Sequence, residues 1–390
     1  MDFSFSPEEE AFRMKVRAFA EREWGPPNPN GGRDHPDREK EAAFRKRCAE
    51  AGYITFGWPE EFGGTSAGPM ELFILSQEMN RVGAPFPLYI ANVLGPLLIK
   101  YGNDELKNEL LPRIASGTIN FVLGFSEPSA GSDLSNMQTR AERVEGGYRI
   151  YGQKLYGLPH EGELISLAVR TNRDTSLRTG ITILLVDAKG EGFASASQQT
   201  MTHLPVGSTF YDGLFVPEHR RLGEEGQGWT LIRETMVRDR FGGIPYAHFR
   251  ILLQRLAEFA KQGHGNAEPD ANHAWVRDRI GQLAIEIEGS ELLQQVAAWK
   301  LSSGQDIQVE ASVIKTFSTE VERRLVEFGA ELLGAKAALG FEAEPNSVVG
   351  AVNFLYRQNV SITIAGGSNE IQRNIIATQG LGLPREPRSK

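Results

Sequence analysis

Apolar residues along this chain change their period twice. Near the amino end, Phe12, Val16 and Phe19 recur at helical steps, and Ser6 with Glu9 has the form of a capping box, which predicts a helix starting just after Ser6. Further helical stretches are expected over residues 37–51, 70–82 and 104–115, punctuated by Trp58-Pro59 and Gly63-Gly64. From about Thr118 the period shortens to two. Phe121, Leu123 and Phe125 alternate with smaller residues, and the stretches 147–156, 180–187 and 208–216 are rich in β-branched and aromatic residues between Gly and Pro breaks. This β-rich region ends near Gly228. The remainder returns to helical spacing: Val276, Ile280, Leu283 and Ile287 form one seam, and Ile314, Phe317, Val321, Leu325, Phe328 and Leu332 form another. Residues 263–272, with Gly, Pro and charges, read as a loop. The fold class is α+β, mainly α, with a helical domain over 1–118, a β domain over 119–226 and a helical bundle over 227–390.

Composition narrows the function classes. A chain of 390 residues is long enough for two or three domains and a sizeable core. Its 42 basic and 50 acidic residues give a net charge of −8, the wrong sign for a protein that tracks nucleic-acid phosphates. The single cysteine, Cys48, excludes an internal disulfide framework and a Cys-rich zinc site and fits a reducing compartment, so the cytoplasm is expected. Acidic Glu8, Glu9 and Glu10 follow the first residues directly, without the basic region and apolar core of a signal peptide. The uncharged stretch 82–99 contains Pro85, Pro87, Pro96 and Asn92, so it reads as buried helix and turn rather than a membrane span.

Familiar catalytic signatures are missing. There is no GxxxxGK[ST] loop, no GxGxxG after a strand, no HExxH and no GxSxG, and the histidines do not pair four apart on a helix face, so no metal site is predicted. Three stretches stand out instead. In Phe125-Ser126-Glu127-Pro128-Ser129-Ala130-Gly131-Ser132-Asp133, small residues after a Pro let backbone N–H groups and hydroxyls approach an anionic ligand. Gly223-Glu224-Glu225-Gly226-Gln227-Gly228-Trp229 leads into a helix carrying Arg238-Asp239-Arg240. Gly366-Gly367-Ser368-Asn369-Glu370-Ile371-Gln372-Arg373-Asn374 places glycines before a helix, whose amino end favours a carbonyl oxygen or phosphate.

Taken in this order on a helix, strand, helix plan, the three stretches, with Trp58-Pro59-Glu60-Glu61-Phe62-Gly63-Gly64 in support, resemble the acyl-CoA dehydrogenase family from about Ser6 to Gln379. The resemblance implies an N-terminal helical domain, a middle β-barrel or sandwich and a C-terminal four-helix bundle. It also implies FAD as cofactor, an acyl-CoA substrate, electron-transfer flavoprotein as acceptor, and a homo- or hetero-oligomer built as a dimer of dimers, with no nucleic acid. The family reaction removes the proton α to a thioester carbonyl with a carboxylate while hydride leaves the β carbon for the flavin, giving a 2-enoyl-CoA.

Residue by residue, the matched positions are these. Many members carry the base as a Glu where this chain has Gly366; others carry it before an Arg on the first bundle helix, which here is Asp239, followed by Arg240. The resemblance therefore implies Asp239 as the base, the Gly366 N–H as a donor to the thioester oxygen, and Arg240 at the substrate. The competing reading of Asp239 is a helix-surface ion pair with arginine. Phe125, Ser126, Gly131, Ser132, Tyr156, Leu158, Glu331, Gly334, Ser368 and Glu370 match cofactor-contact positions. Two departures concern the flavin: Tyr156 stands where a Trp is usual and can stack, but Leu158 lacks the hydroxyl usual two residues on, and the Arg-x-x-Phe pattern that reaches a neighbouring subunit's cofactor is missing from 261–266. These departures leave four readings open: a self-sufficient dehydrogenase, one subunit of a heteromeric dehydrogenase for bulky substrates such as steroid side-chain thioesters, a non-catalytic partner, and a monooxygenase or oxidase on the same fold.

Overall fold

The structure, a computed structural model, describes residues 3–28, 37–86, 89–157, 163–172, 178–202, 205–243, 246–262, 270–340 and 347–385. Its helices are α1 (Pro7–Glu23), α2 (Arg38–Glu50), α3 (Pro69–Arg81), α4 (Gly95–Tyr101), α5 (Asp104–Ala115), α6 (Gly228–Gly243), α7 (Tyr246–Gln262), α8 (Ala274–Ser302), α9 (Gln308–Leu333), α10 (Val348–Ile362) and α11 (Asn369–Ile375). Between α5 and α6 lie β1 (Phe121–Gly124), β2 (Arg140–Val144), β3 (Gly147–Gly157), β4 (Leu164–Arg170), β5 (Ile181–Asp187), β6 (Phe193–Gln199), β7 (Pro205–Pro217) and β8 (Arg221–Leu222). The helix-rich α+β class expected from the periods is what is observed. The predicted capping box is present: the Ser6 hydroxyl accepts from Glu9 N–H while the Glu9 carboxylate accepts from Ser6 N–H.

The chain forms two compact units, one comprising residues 1–44, 67–86 and 240–390 and the other residues 45–66 and 87–239. The second unit contains the sheet, with strands in the order β6-β7-β3-β2-β4-β5-β8 and β1 paired in parallel with β4. Only one residue pair, Arg140 with Arg170, joins β2 to β4. Ala141, Tyr148, Ile150, Tyr211, Leu214 and Val216 from one half of the sheet share a core with Ile165, Leu167, Val169, Leu184 and Val186 from the other, so the sheet folds over on itself as a sandwich does. Besides the two-residue β8, strands β2, β4 and β6 escaped the alternation pattern for separate reasons. Every residue of β4 is buried, nearly all of β6 is exposed, and β2 is short and mostly charged, so none shows the apolar-polar contrast of a half-buried strand. In the same unit, the buried Trp58 donates from Nε1 to the Ala91 carbonyl at 2.9 Å, and Gly95 lies so close to its ring that a Cβ there would overlap it. The stretch after Val82 is built as expected, with a turn, a π-helical segment over Tyr89–Leu94 and then α4.

In the first unit, α7, α8, α9 and α10 pack on one another as a helical bundle, with α1 and α3 in the same unit. The apolar seams predicted on α8 and α9 are buried except for half-buried Ile280 and Phe317, but α9 departs from a one-sided amphipathic helix. Ser312, Lys315, Thr316, Ser318, Thr319 and Glu322 are buried as well. A period in the apolar residues locates one buried face and says nothing about whether the polar face meets water or protein.

Candidate active site

In the sheet-containing unit, the first motif forms a turn between β1 and β2 held from beneath by a buried ion pair. The Glu127 carboxylate accepts from the N–H groups of Gln138 (2.6 Å) and Thr139 (2.9 Å) and from Lys154 Nζ (2.8 Å). Lys154 Nζ also donates to the Phe125 carbonyl at 3.1 Å, and Leu155 N–H donates to the Ser126 carbonyl at 2.9 Å. Burial on its own would raise the Glu127 carboxyl; the Lys154 ammonium and the Gln138 N–H outweigh it and hold it below the ordinary range. Burial pushes Lys154 the other way, down to about 8, against the pull of Glu127.

This arrangement brings together Phe125, Ser126 and Tyr156 of the predicted cofactor residues. Phe125 is buried, Ser126 half-buried, and Gly131 and Ser132 exposed further along the turn. Tyr156, two residues beyond Lys154 on β3, sits at a break in the β3–β7 register with φ of 65° and 70% of its surface exposed. A non-glycine residue in the left-handed region is uncommon. Leu158, the other predicted flavin neighbour on this strand, lies outside the described residues, as does most of the 261–266 segment.

In the helical unit, the third motif forms a turn leading into α11, and it too is fastened by buried polar groups. Arg240 Nε and Nη2 both donate to the Gly366 carbonyl, at 3.2 and 2.8 Å. Gln372 Nε2 donates to the Gly367 carbonyl at 3.0 Å, and Lys315 Nζ donates to the Thr363 carbonyl at 2.8 Å and to Asn369 Oδ1 at 2.7 Å. Ser368 caps α11. Gly366 and Gly367 have φ of 66° and 89°, two successive residues in the left-handed region that glycine adopts without strain. Among the described residues nothing accepts from their two N–H groups. Burial, then the Arg240 charge, pushes Lys315 down to about 8 against Glu370 and Glu320. Arg240, Gly366 and Ser368 are thus one cluster, with Glu370 exposed at its edge. Glu331 and Gly334 are not part of it: both are exposed at the far end of α9, and Glu331 lies 331 − 315 = 16 residues past Lys315, about 24 Å along a helix.

On α6, two acidic residues precede Arg240. Glu234 accepts from Tyr101 Oη (2.8 Å), Lys100 Nζ (3.0 Å) and Arg238 (3.2 Å). Burial alone would raise its carboxyl, but those donors outweigh it and hold it below the ordinary range, which disfavours it as a base. Asp239 is half-buried. The cavity of about 540 Å³ lined by Arg13, Arg17, Glu78, Arg250 and Glu291 in the helical unit contains none of the predicted residues. No group of metal-ligating side chains occurs among the described residues, and no described helix is long and apolar enough to cross a membrane.

The chain matches the family models described as acyl-CoA dehydrogenase, N-terminal domain, over residues 6–118 and acyl-CoA dehydrogenase, C-terminal domain, over residues 226–381. It is 32% identical to "Acyl-CoA dehydrogenase FadE26" of Mycobacterium tuberculosis (strain ATCC 25618 / H37Rv), with both chains covered in full. The chain belongs to the acyl-CoA dehydrogenase family. Among solved structures it resembles a chain of the ChsE4-ChsE5 complex from Mycobacterium tuberculosis, with TM-score 0.86 and 30% identity over 99% of this chain and 100% of that one. It likewise resembles a chain of the Tcur3481-Tcur3483 steroid ACAD, with TM-score 0.87 and 30% identity over 99% and 100%. As an acyl-CoA dehydrogenase it is an oxidoreductase, and its cofactor is FAD.

For an acyl-CoA dehydrogenase site, sequence reasoning missed Lys154, Lys315 and Gln372. Lys154 falls within the strand stretch 147–156, where nothing in the local pattern marks it as buried. Lys315 looks like any helix-surface lysine. Gln372 lies within the third motif but gave no sign that its amide turns back onto Gly367.

Proposed function

We propose that this chain is one subunit of a heteromeric acyl-CoA dehydrogenase acting on bulky acyl-CoA thioesters. The observation that carries the reading is the double hydrogen bond from Arg240 to the Gly366 carbonyl. It fixes a glycine at the position where many members carry their carboxylate base, so this turn offers N–H donors and no base. The neighbouring residue on α6, Asp239, takes that role: its carboxylate removes the α proton, made acidic by the thioester carbonyl. The Gly366 N–H donates to the carbonyl oxygen as negative charge develops there. Arg240 holds the donor's own turn rigid, so its amide is aligned before substrate arrives.

The residues present fit FAD in part. Tyr156 offers an exposed ring on a strand end anchored by Lys154 and Leu155, and Ser126 with Gly131 and Ser132 gives a turn of small polar residues suited to an isoalloxazine edge or phosphate. Bound FAD supplies a hydride acceptor for the β carbon. Ser368, Glu370, Glu331 and Gly334 are the remaining proposed cofactor contacts, the last two at the far end of α9 from the first two.

The 30% identity over nearly full length to chains of the ChsE4-ChsE5 complex and the Tcur3481-Tcur3483 steroid ACAD supports a heteromer and a steroid-like acyl group. Tyr356, Val360 and Ile364, at successive steps of four on and just beyond α10, are 51%, 61% and 64% exposed, an apolar stripe suited to a subunit contact. Electron-transfer flavoprotein as acceptor, a cytoplasmic location and the division at 118 and 226 belong to the same reading. The test is to purify the chain alone and with a homologous neighbouring subunit, then measure flavin content, mass by light scattering and oxidation of steroid side-chain and straight-chain acyl-CoAs. The reading expects stoichiometric FAD and steroid-thioester oxidation only in the mixed complex. Full flavin and preference for straight chains in the lone subunit would overturn it.

A further inference from the structure

The Glu127–Lys154 pair touches neither reacting group in the proposed reaction, yet its side chains are 4% and 1% exposed. Taking two charges out of water is costly, and apolar residues of similar size fill such a space without that cost. What apolar residues cannot do is satisfy several backbone groups at once. The Glu127 carboxylate receives the N–H groups that open β2, and the Lys154 ammonium binds the Phe125 carbonyl. Lys154 lies on β3 between the Leu155 bond to Ser126 and the rest of the strand, two residues before Tyr156. Three backbone segments are therefore tied at one point, and two of them carry Phe125, Ser126 and Tyr156. The left-handed backbone at Tyr156 needs such support, because an unsupported strand end would relax to an ordinary conformation.

We propose that Glu127 and Lys154 are a positioning pair for the cofactor, fixing the Phe125–Ser126 backbone against the strand that presents Tyr156. This rests on the cofactor role given above to Phe125, Ser126 and Tyr156. The test compares wild type, Glu127→Gln, Lys154→Met and the double variant Glu127→Met/Lys154→Met in the full chain, co-purified with its partner subunit if the chain alone holds no flavin. FAD affinity is measured by titrating the apoprotein, thermal stability by melting, and backbone order by hydrogen–deuterium exchange over residues 125–133.

Both single variants are expected to melt earlier, and the double variant to recover much of that loss, because no charge is left buried alone. In all three, FAD affinity should fall at least tenfold and the 125–133 amides should exchange at least tenfold faster, while those of β4 and β5 stay protected. A merely structural pair gives another result: the stability-restored double variant would bind FAD as wild type does and keep its turn amides slow, which overturns the proposal. Wild type that binds no FAD even with a partner would instead overturn the proposed function. The exchange data decide the positioning role in that case also, since unchanged exchange in the variants sinks it.

Discussion

Two turns carry the proposed chemistry, and each is fastened by a buried lysine put to different use. At the 125–139 turn, Lys154 meets a carboxylate, and the two charges tie three backbone segments together. At the 363–369 turn, Lys315 meets only neutral oxygens, the Thr363 carbonyl and the Asn369 amide. Both ammonium groups are pushed to about 8 by burial. The backbone follows the same division, since the first turn is flanked by a left-handed tyrosine and the second is built on two left-handed glycines. An ion pair can hold a strained side chain out to solvent. Cations donating to neutral oxygens suffice where glycine removes the strain.

The largest expected effect is at the ion pair. Lys154→Met leaves the Glu127 carboxylate buried without its cation and should cost about 3–5 kcal/mol in chemical denaturation. The equivalent change at the other turn, Lys315→Met, strands a carbonyl and an amide oxygen but no charge, and should cost about 1–3 kcal/mol. Equal losses at the two sites would break the comparison. Gly367→Ala puts a Cβ 2.7 Å from Gln372 Nε2 at a φ of 89°, and about 1–2 kcal/mol of lost stability is expected, with a reduced rate at unchanged substrate affinity.

A pH series sharpens the same contrast. Lysine ordinarily titrates at 10.5, while Lys315 in the folded protein titrates at about 8. Between those values the unfolded chain binds the extra proton, so this group makes stability rise with pH across the window. Urea midpoints of wild type and Lys315→Met at pH 8 and pH 10 should therefore diverge, with wild type gaining more. The smallest effect is at Tyr156, where Tyr156→Gly relieves the left-handed backbone and should raise stability by about 1 kcal/mol while weakening FAD binding.

Much of this was legible in the sequence, and the exceptions have physical causes. Capping residues and helical seams gave α1, α8 and α9, because those signals are local and repeat over several turns. β4 and β6 stayed hidden because one is wholly buried and the other almost wholly exposed. The motifs located Phe125, Ser126, Gly366 and Ser368, since small residues in fixed order are visible as text. The lysines that fasten them were not visible. Lys154 lies 154 − 127 = 27 residues from Glu127 and Lys315 lies 369 − 315 = 54 residues from Asn369, so only the folded chain brings each to its partner.

The central claim is that Asp239 removes the α proton while the fastened turn at Gly366 supplies a donor. It is tested most directly by anaerobic mixing of a steroid side-chain acyl-CoA with the flavin-loaded complex, following loss of the oxidised-flavin absorbance in wild type and in Asp239→Asn. The account predicts rapid bleaching in wild type and a loss of about a thousandfold in rate in Asp239→Asn, with FAD still bound at full stoichiometry, on the scale of removing a general base. Bleaching of Asp239→Asn at the wild-type rate would contradict it and assign the proton to another carboxylate.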